Sequence, residues 1–309
     1  MFLSIIVPCY NEEESIEKFY LETLKYIDKC DKIDKYEIIF IDDGSRDKTL
    51  HNIKELRRKD DSIRYISFSR NFGKEAGIYA GLKNARGDLI VLIDVDLQHP
   101  PSLIPEMVNH ILEEGYDSVG AVRKNRNGEK LVKSFLSKSF YKFINLISDT
   151  RIEQNSTDYR MMNRQFVDAV LSLAEYNRFT KGIFSWVGFK NTLIEYDNIE
   201  RATGETKWNF FKLFKYSIEG IISFSTFPLV ISSIIGIVFC IISILFFLFF
   251  MLKTVIFKDP VRGFPTIICS MFLLGGIQLL SIGILGQYLS KAYLEIKNRP
   301  IYIEKEKSE

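Results

Sequence analysis

The sequence predicts an α/β protein with a mostly parallel sheet and helices on both faces, followed by a C-terminal hairpin of two transmembrane helices. Over the first two hundred residues, short runs rich in Ile and Val alternate with amphipathic stretches, the pattern of successive strand–helix units. Further along, Gly220–Leu252 and Gly263–Ser290 contain no Asp, Glu, Lys or Arg. These two observations separate a sheet-forming region from a region suited to a membrane.

The individual elements follow from where each apolar run begins and ends. The predicted strands are Ser4–Val7, Glu37–Ile41, Arg64–Phe68 and Leu89–Ile93, and the predicted helices are Ser15–Asp28, Asp47–Lys59, Lys74–Ala85 and Ser102–Glu114. Consecutive strands joined by helices are parallel with right-handed crossovers, so their carboxyl ends share one edge of the sheet. Ligands of such sheets bind at that edge.

Composition excludes several classes of protein. With 47% hydrophobic and 26% charged residues the chain is not disordered, and a net charge of +2 argues against a nucleic-acid partner. None of the four cysteines belongs to a CxxC pair, so neither a zinc site nor a disulfide framework is indicated. No GxGxxG or GxxxxGK[ST] motif occurs, which leaves a dinucleotide or P-loop fold without its glycines.

The charge-free segments are long enough to cross a membrane. Residues Phe227–Leu252 and Phe264–Leu289 would each span about 39 Å as helices, against a hydrocarbon core of about 30 Å. A pair of buried core helices is the alternative, but such helices rarely lack a polar stripe over this length. The larger number of Lys and Arg residues before and after the hairpin than in its connector weakly places both termini in the cytoplasm. Four glycines in the second segment permit close packing, either within the hairpin or between subunits.

Acidic residues cluster where two predicted strands end. Asp42 and Asp43 follow the second strand, and Asp94 and Asp96 follow the fourth. On an extended backbone, side chains two residues apart project to the same side, and two such carboxylates suit Mg²⁺ or Mn²⁺ together with substrate phosphates. Capping or solvated Asp pairs are the alternative. His99, beside the second pair, is interpreted as a turn residue, and Glu304–Glu309 as a solvated charge run.

These motifs, taken in order, resemble family 2 glycosyltransferases of GT-A fold, and within them the polyprenyl-phosphate sugar synthases, including bactoprenol glucosyltransferases and dolichol-phosphate mannose synthase. The matching segments are Ser4–Glu12 (SIIVPCYNE), Asp42–Ser45 (DDGS), Ser69–Lys74 (SRNFGK), Asp94–Pro101 (DVDLQHPP), Asp158–Arg164 (DYRMMNR) and Arg201–Trp208 (RATGETKW). The resemblance covers about residues 3–215. Thr157 and Asn163 depart from a Gly and an Asp common in the family, and we interpret both as tuning.

The resemblance implies a role for each motif. It assigns Pro8, Tyr10, Glu12, Asp42, Asp43, Asp94, Arg201 and Lys207 to the nucleotide-sugar donor, Asp94, Asp96 and Gln98 to Mg²⁺ or Mn²⁺, Arg123, Lys133 and Ser137 to the acceptor phosphate, and Asp158 with Asp96 to catalysis. Asp158 is either a base or an orienting group; its alternative role is the N-cap of a helix predicted over Met161–Leu173.

The implied organisation is a cytosolic GT-A catalytic domain over residues 1–207, an interfacial amphipathic helix over 208–226, a transmembrane hairpin over 227–290 and a cytosolic tail over 291–309. Lys133–Ile147 also has the interleaved basic and apolar residues of an interfacial helix. The implied activity is inverting, metal-dependent transfer of one sugar, glucose or a hexosamine, from a UDP-sugar to undecaprenyl phosphate at a bacterial plasma membrane, for cell-surface glycan modification.

Several alternatives remain open at this stage. A GDP-mannose-dependent polyprenyl-phosphate mannose synthase would use the same motifs. A non-catalytic scaffold for glycan assembly would be expected to lose Asp94 or Asp96, and both are present. A processive polysaccharide synthase is disfavoured because no QxxRW motif precedes the apolar segments, and a transporter because those segments carry no ionisable charge. The hairpin glycines also permit a homo-oligomer such as a tetramer.

Overall fold

The computed structural model describes residues 1–124, 156–173, 175–197, 227–257 and 264–308. Within these ranges the strands are β1 (Phe2–Cys9), β2 (Lys35–Asp42), β3 (Ile63–Phe68), β4 (Leu89–Leu92), β5 (Ser118–Arg123), β6 (Ser156–Asn163), β7 (Asn191–Tyr196) and β8 (Glu304–Lys307). The helices are α1 (Ile16–Ile27), α2 (Thr49–Lys59), α3 (Lys74–Asn84), α4 (Ile104–Leu112, preceded by a 3₁₀ turn at Pro101–Leu103), α5 (Arg164–Ser172), α6 (Thr180–Trp186), α7 (Phe227–Phe257) and α8 (Phe264–Ile296). All four predicted strands and four predicted helices of the first 114 residues are confirmed to within a few residues.

The eight strands form one sheet in the order β7-β5-β6-β4-β1-β2-β3-β8. Strands β4, β1, β2 and β3 are mutually parallel, as are β5 and β7, whereas β6 runs antiparallel to both β4 and β5 and β8 runs antiparallel to β3. In the β1–β2 register, Cys9 lies opposite Asp42, so the ends of these strands are level. The predicted mostly parallel α/β sheet is therefore confirmed, with two antiparallel strands added.

Side-chain alternation in the central strands builds a core on each face of the sheet. Leu3, Ile5 and Val7 of β1 join the cluster that contains the apolar residues of α1, α2 and α4. Ile6 points the other way, into the cluster that contains those of α3, α5 and α6. Because strands buried on both faces read as continuous apolar runs, these helices on both sides account for the sequence of β1.

The position of Asp158 in strand β6 shows that its alternative role as a helix N-cap was wrong. The sequence offered a helix from Met161 to Leu173 with Asp158 as its N-cap. Instead, residues 156–163 form a strand between β4 and β5, and the helix begins only at Arg164. Asn163 is the cap, since its Oδ1 accepts a hydrogen bond from the backbone N–H of Phe166 at 2.8 Å. Asp158 therefore lies within the sheet, on the strand next to β4.

The C-terminal segment forms a strand that the sequence analysis did not predict. Residues 304–307 form β8 on the free edge of β3, although three of the four side chains remain exposed, as expected for a solvated charge run. The ring of Tyr302 stacks on Phe68 with 4.8 Å between centroids, and the ammonium of Lys54 lies 2.8 Å from both carboxylate oxygens of Glu306. The predicted tail at 291–309 is thus partly the last strand of the sheet.

Helices begin where the hairpin was predicted and extend beyond it. α7 and α8 start at Phe227 and Phe264 as expected, but end at Phe257 and Ile296 rather than at 252 and 289. The two helices contact each other. Among the described residues, one stretch, Leu273–Ile296, is long and apolar enough to cross a membrane, and none of it is buried. A second, Phe227–Phe239, is apolar but shorter.

Candidate active site

The end of β1 leads into the first predicted donor motif. Pro8 is half-buried, Tyr10 is exposed, and Asn11 adopts a left-handed backbone conformation with φ of 54°. The backbone N–H of Glu12 donates to Thr49 Oγ1 at 2.8 Å, and its carboxylate accepts from Ser15 Oγ at 3.1 Å. The motif is therefore held at the starts of α1 and α2, with the Tyr10 ring left open to solvent.

The two aspartates at the end of β2, Asp42 as its last residue and Asp43 directly after it, are both buried and both hold loops. Asp42 accepts hydrogen bonds from the backbone N–H of Ser45 at 3.0 Å and from Ser67 Oγ at 2.7 Å. Asp43 accepts from the backbone N–H groups of Phe72 and Gly73 at 2.6 and 2.9 Å. Burial raises the pKa of Asp43, and these two N–H groups oppose that rise. The contact of Asp42 and Asp43 with a nucleotide-sugar stays a prediction, whereas their hydrogen bonds show that both hold loops.

The predicted metal-binding motif lies in a turn rather than on extended backbone. β4 ends at Leu92, Asp94 lies outside any strand, and Val95 and Asp96 lie in a turn that Leu97 continues with a φ of 57°, so the extended-strand argument for Asp94 and Asp96 was wrong. Within the turn, Asp96 Oδ1 accepts from the backbone N–H of Gln98 at 3.1 Å. The motif still follows the carboxyl end of β4, at the edge of the sheet where ligands were expected.

One ammonium group joins the end of β4 to β6. Nζ of Lys74, the first residue of α3, lies 2.7 Å from Asp94 Oδ1 and 2.6 Å from Asp158 Oδ2. Burial alone would raise the pKa of Asp158, but the positive charges of Lys74 and Lys181 outweigh burial and hold that pKa well below its usual range. The reciprocal pairing outweighs burial at Lys74 too and raises its pKa. Asp158 is thus an ionised carboxylate at neutral pH.

Lys74 is the site residue that sequence reasoning missed. It belongs to the SRNFGK match, which carried no assigned role, and its position at the start of α3 was visible in the sequence. The carboxyl ends of the parallel strands share one edge of the sheet, and the helix that follows β3 begins at that edge. A Lys as the first residue of this helix was therefore a detectable signal for a positively charged side chain in the site.

His99 is buried beside the motif, in agreement with its predicted structural role. Its ring stacks on Tyr159 with 5.6 Å between centroids and meets Tyr196 edge-on at 6.0 Å. Burial lowers the pKa of His99, so the ring is neutral at pH 7. Its Nδ1 lies 3.6 Å from Asp94 Oδ2, too far for a hydrogen bond, and neither ring nitrogen has a hydrogen-bond partner in the described part of the chain.

Arg123 connects the predicted acceptor site to the predicted metal motif. It is the last residue of β5; its Nη2 donates to Gln98 Oε1 at 3.3 Å and its Nε donates to the hydroxyl of Tyr196 at 3.2 Å. The guanidinium therefore lies beside the side chain predicted to assist Asp94 and Asp96. The other predicted ligands, Lys133, Ser137, Arg201 and Lys207, lie outside the described residues, as do the predicted interfacial segments 133–147 and 208–226.

The donor set fits a hard divalent cation held jointly with a substrate. Among the described residues, no group of three or more His, Cys, Asp or Glu side chains converges as a complete metal site. Two carboxylates and an amide oxygen, those of Asp94, Asp96 and Gln98, are nevertheless the oxygen ligands that Mg²⁺ takes when phosphates supply the rest.

The two residues that depart from the family pattern, Thr157 and Asn163, have local structural roles. Thr157 Oγ1 donates to the Ala121 carbonyl at 2.9 Å, and Asn163 Nδ2 donates to Asp117 at 2.8 Å.

Comparison with known proteins identifies the class. The family model for glycosyl transferase family 2 matches residues 4–171, more than half of the chain. The chain therefore belongs to glycosyltransferase family 2, and the predicted GT-A type of α/β fold and transferase activity are confirmed. The match ends before β7, β8 and the two long apolar helices, so it covers strands β1 to β6, from residue 4 on, together with Lys74, Asp94, Asp96 and Asp158 of the site.

The nearer group follows from full-length relatives. A prophage bactoprenol glucosyl transferase homolog of Escherichia coli K12 is 43% identical over 307 residues, covering 99% of each chain. The uncharacterized glycosyltransferase sll0501 of Synechocystis is 41% identical over 301 residues, covering 97% of this chain and 94% of its own. The predicted resemblance to bactoprenol glucosyltransferases and the enzyme class, a hexosyltransferase, are thus confirmed. Among solved structures, mannosyl-3-phosphoglycerate synthase from Rubrobacter xylanophilus shares 72% of each chain at 16% identity and a TM-score of 0.49, too distant to bear on ligands.

Proposed function

We propose that this enzyme transfers a single hexose, glucose or a hexosamine, from a UDP-sugar to undecaprenyl phosphate at a bacterial plasma membrane, with inversion at the anomeric carbon. The observation that carries the proposal is the meeting of Asp94 and Asp158 at one edge of the sheet, joined through Lys74. The full-length likeness to relatives named as bactoprenol glucosyl transferases supports the lipid acceptor. A GDP-mannose donor is the alternative that these motifs leave open.

Asp94, Asp96 and Gln98 are the residues that would hold Mg²⁺ or Mn²⁺. When bound, such a cation neutralises charge on the departing nucleoside diphosphate. Arg123 lies beside Gln98 and would direct an anionic acceptor toward the same place, with Lys133 and Ser137 completing the proposed acceptor site. Pro8, Tyr10, Glu12, Asp42 and Asp43 would surround the nucleoside, and Arg201 and Lys207 would contact the diphosphate.

Asp158 suits orientation of the sugar better than proton abstraction. The attacking group is a phosphate monoester with a second pKa of about 6, so it is already largely dianionic near pH 7. A carboxylate whose pKa is held low is a weak base, and Lys74 and Lys181 hold the pKa of Asp158 low. Its charge instead allows it to accept hydrogen bonds from donor hydroxyl groups. Direct displacement by the phosphate oxygen then gives inversion.

The apolar helices would bring the site to its lipid. α8 exposes large apolar side chains along its length, among them Leu279 and Leu285, and its end is tied to the catalytic domain because Glu295 accepts from the backbone N–H groups of Tyr176 and Asn177 at 3.0–3.2 Å. We propose that α7 and α8 span the membrane as a hairpin with both termini in the cytoplasm, and that residues 208–226 lie in the interface. An acceptor phosphate at the membrane surface would then be within reach of Arg123.

Subunit association is a further part of the proposal. An added Cβ at Gly275, Gly276, Gly283 or Gly286 would meet no atom within 4 Å, so these glycines are not used for contact within the described part of the hairpin. A homo-oligomer such as a tetramer, packed through this face of α8, remains a prediction.

The experiment is a transfer assay on detergent-solubilised full-length protein with undecaprenyl phosphate and radiolabelled UDP- or GDP-sugars, with and without Mg²⁺. The expected result is a Mg²⁺-dependent lipid-linked hexose from a UDP-sugar. Asp96→Ala should abolish it, whereas Asp61→Ala, at an exposed position paired with Arg57 of α2, should not. Product from GDP-mannose alone would establish the alternative donor, and full activity of Asp96→Ala would exclude the metal assignment.

A further inference from the structure

Lys74 has an unusual position for a lysine. It is the first residue of α3, where the helix dipole disfavours positive charge, and its side chain is 43% exposed. Its surroundings nevertheless fix it: the preceding Gly73 has a φ of 98°, and the carboxylate of Asp43 holds the backbone N–H groups of Phe72 and Gly73. Neither helix stability nor core packing accounts for an ammonium here, so its contacts point to the site.

Those contacts place a positive charge against a proposed metal ligand. The ammonium lies 2.7 and 3.0 Å from the two carboxylate oxygens of Asp94, and its third close contact is Asp158 Oδ2 at 2.6 Å. A divalent cation bound to Asp94 would therefore lie within a few ångströms of Lys74. The two positive charges repel each other, whereas the phosphates of a nucleoside diphosphate attract both.

We propose that Lys74 is a positioning residue that makes divalent-cation binding at Asp94 and Asp96 dependent on the nucleoside diphosphate. The inference rests on the proposed function, which supplies the cation and the diphosphate. The ammonium of Lys74 disfavours binding of the cation by itself, and the negative charge of the diphosphate removes that penalty. The cation and the donor would then bind as a pair, and the free cation would not remain at an empty sugar site.

The test measures Mn²⁺ affinity of the full-length solubilised protein by calorimetry or electron paramagnetic resonance, with and without saturating UDP. Wild type should bind Mn²⁺ much more tightly when UDP is present. Lys74→Met and Lys74→Gln should bind Mn²⁺ without UDP about tenfold more tightly or better than wild type, since a unit charge a few ångströms from a divalent ion costs at least that factor even in water. The gain from UDP should shrink accordingly.

Two control variants separate charge from geometry. Lys74→Arg keeps the charge and should behave as wild type. Lys83→Met removes the same charge from an exposed position near the end of the same helix, and should leave Mn²⁺ affinity unchanged. Thermal midpoints measured alongside establish that each variant is folded.

The outcomes distinguish this inference from the proposed function. Loss of Mn²⁺ binding in Asp96→Ala would show that the metal site is present. If both neutral Lys74 variants then bind Mn²⁺ no more tightly than wild type, the coupling is wrong and the metal site stands. Equal tightening in Lys83→Met or Lys74→Arg would also overturn the coupling. If wild type binds no Mn²⁺ even with UDP, or Asp96→Ala binds it equally well, the metal site of the proposed function fails and the inference fails with it.

Discussion

Two glycines of α3 face the strands beneath it, and only one of them has room for a side chain. An added Cβ at Gly81 would lie 2.1 Å from Cγ2 of Ile6, a fully buried residue of β1, whereas at Gly77 it would lie 3.5 Å from Cβ of Pro8, an ordinary contact. Ala is favoured over Gly by about 1 kcal/mol in a helix interior. Overpacking of a core costs about 1–3 kcal/mol. Gly77→Ala should therefore stabilise the protein slightly and Gly81→Ala should destabilise it.

Because an added Cβ at Gly81 would meet three side-chain atoms of Ile6, the overpacking cost should lie at the upper end of that range, about 2–3 kcal/mol, which leaves a net loss of about 1–2 kcal/mol. In a protein of this size each kcal/mol shifts the thermal midpoint by about 2–4 °C. The measurement is the midpoint of solubilised protein, followed by circular dichroism, for wild type and both variants. Activity should fall with stability in Gly81→Ala, because moving α3 away from β1 also moves Lys74 relative to Asp94.

A second-site change tests the cause. Ile6→Leu removes the branch methyl at Cγ2 at nearly constant volume, so it should restore part of the stability lost in Gly81→Ala while costing the wild type less than about 1.5 kcal/mol. A Gly81→Ala variant as stable as wild type, or one that falls no further than Gly77→Ala, would refute the packing argument.

Two further predictions concern a buried acid and the last strand. Glu75 accepts hydrogen bonds from the backbone N–H and hydroxyl of Thr180, and burial raises its pKa. The folded state therefore keeps this proton to higher pH than the unfolded state, so the contribution of Glu75 to stability is present below about pH 4.5 and is lost as pH rises through the folded-state pKa. Glu75→Gln should remove that part of the pH dependence, so thermal midpoints of wild type should fall relative to the variant between about pH 4.5 and 7; parallel curves would contradict it. For β8, Lys54→Ala should lower the free energy of unfolding by less than about 1 kcal/mol, because its ion pair with Glu306 is partly exposed. Deletion of residues 304–309 should cost clearly more, since it removes the backbone hydrogen bonds along the edge of β3. Denaturation midpoints that rank the two changes the other way would show that the ion pair alone secures the strand.

Local pattern was sufficient for the first half of the sheet. β1 to β4 and α1 to α4 are each defined by an apolar run or an amphipathic period, and these signals depend only on neighbours in the chain. β6 carried no such signal, because its residues Ser156–Asn163 mix polar and apolar side chains without a strand-like run. It forms a strand because β4 and β5 pair with it on both sides.

The sequence indicated individual residues of the candidate site but not the hydrogen bonds and ion pairs between them. Asp42, Asp43, Asp94 and Asp96 were found because acidic residues stood out at strand ends. The hydrogen bonds that commit Asp43 to the backbone of Phe72 and Gly73, and the turn that holds Asp94 and Asp96, depend on how loops pack against one another. No motif by itself distinguishes a carboxylate that binds a ligand from one that holds a loop.

The sequence by itself determined that a family 2 glycosyltransferase fold precedes two long apolar helices, because periodicity, the absence of charge and ordered motifs are properties of neighbouring residues. The tertiary structure decided which charges meet. Lys74 reaches Asp94 across 20 positions of sequence, and Ser308 bonds to Tyr65 across 243. Such contacts are set by the order of strands in the sheet, and the free energy of an ion pair or an edge strand depends on that arrangement rather than on either segment alone.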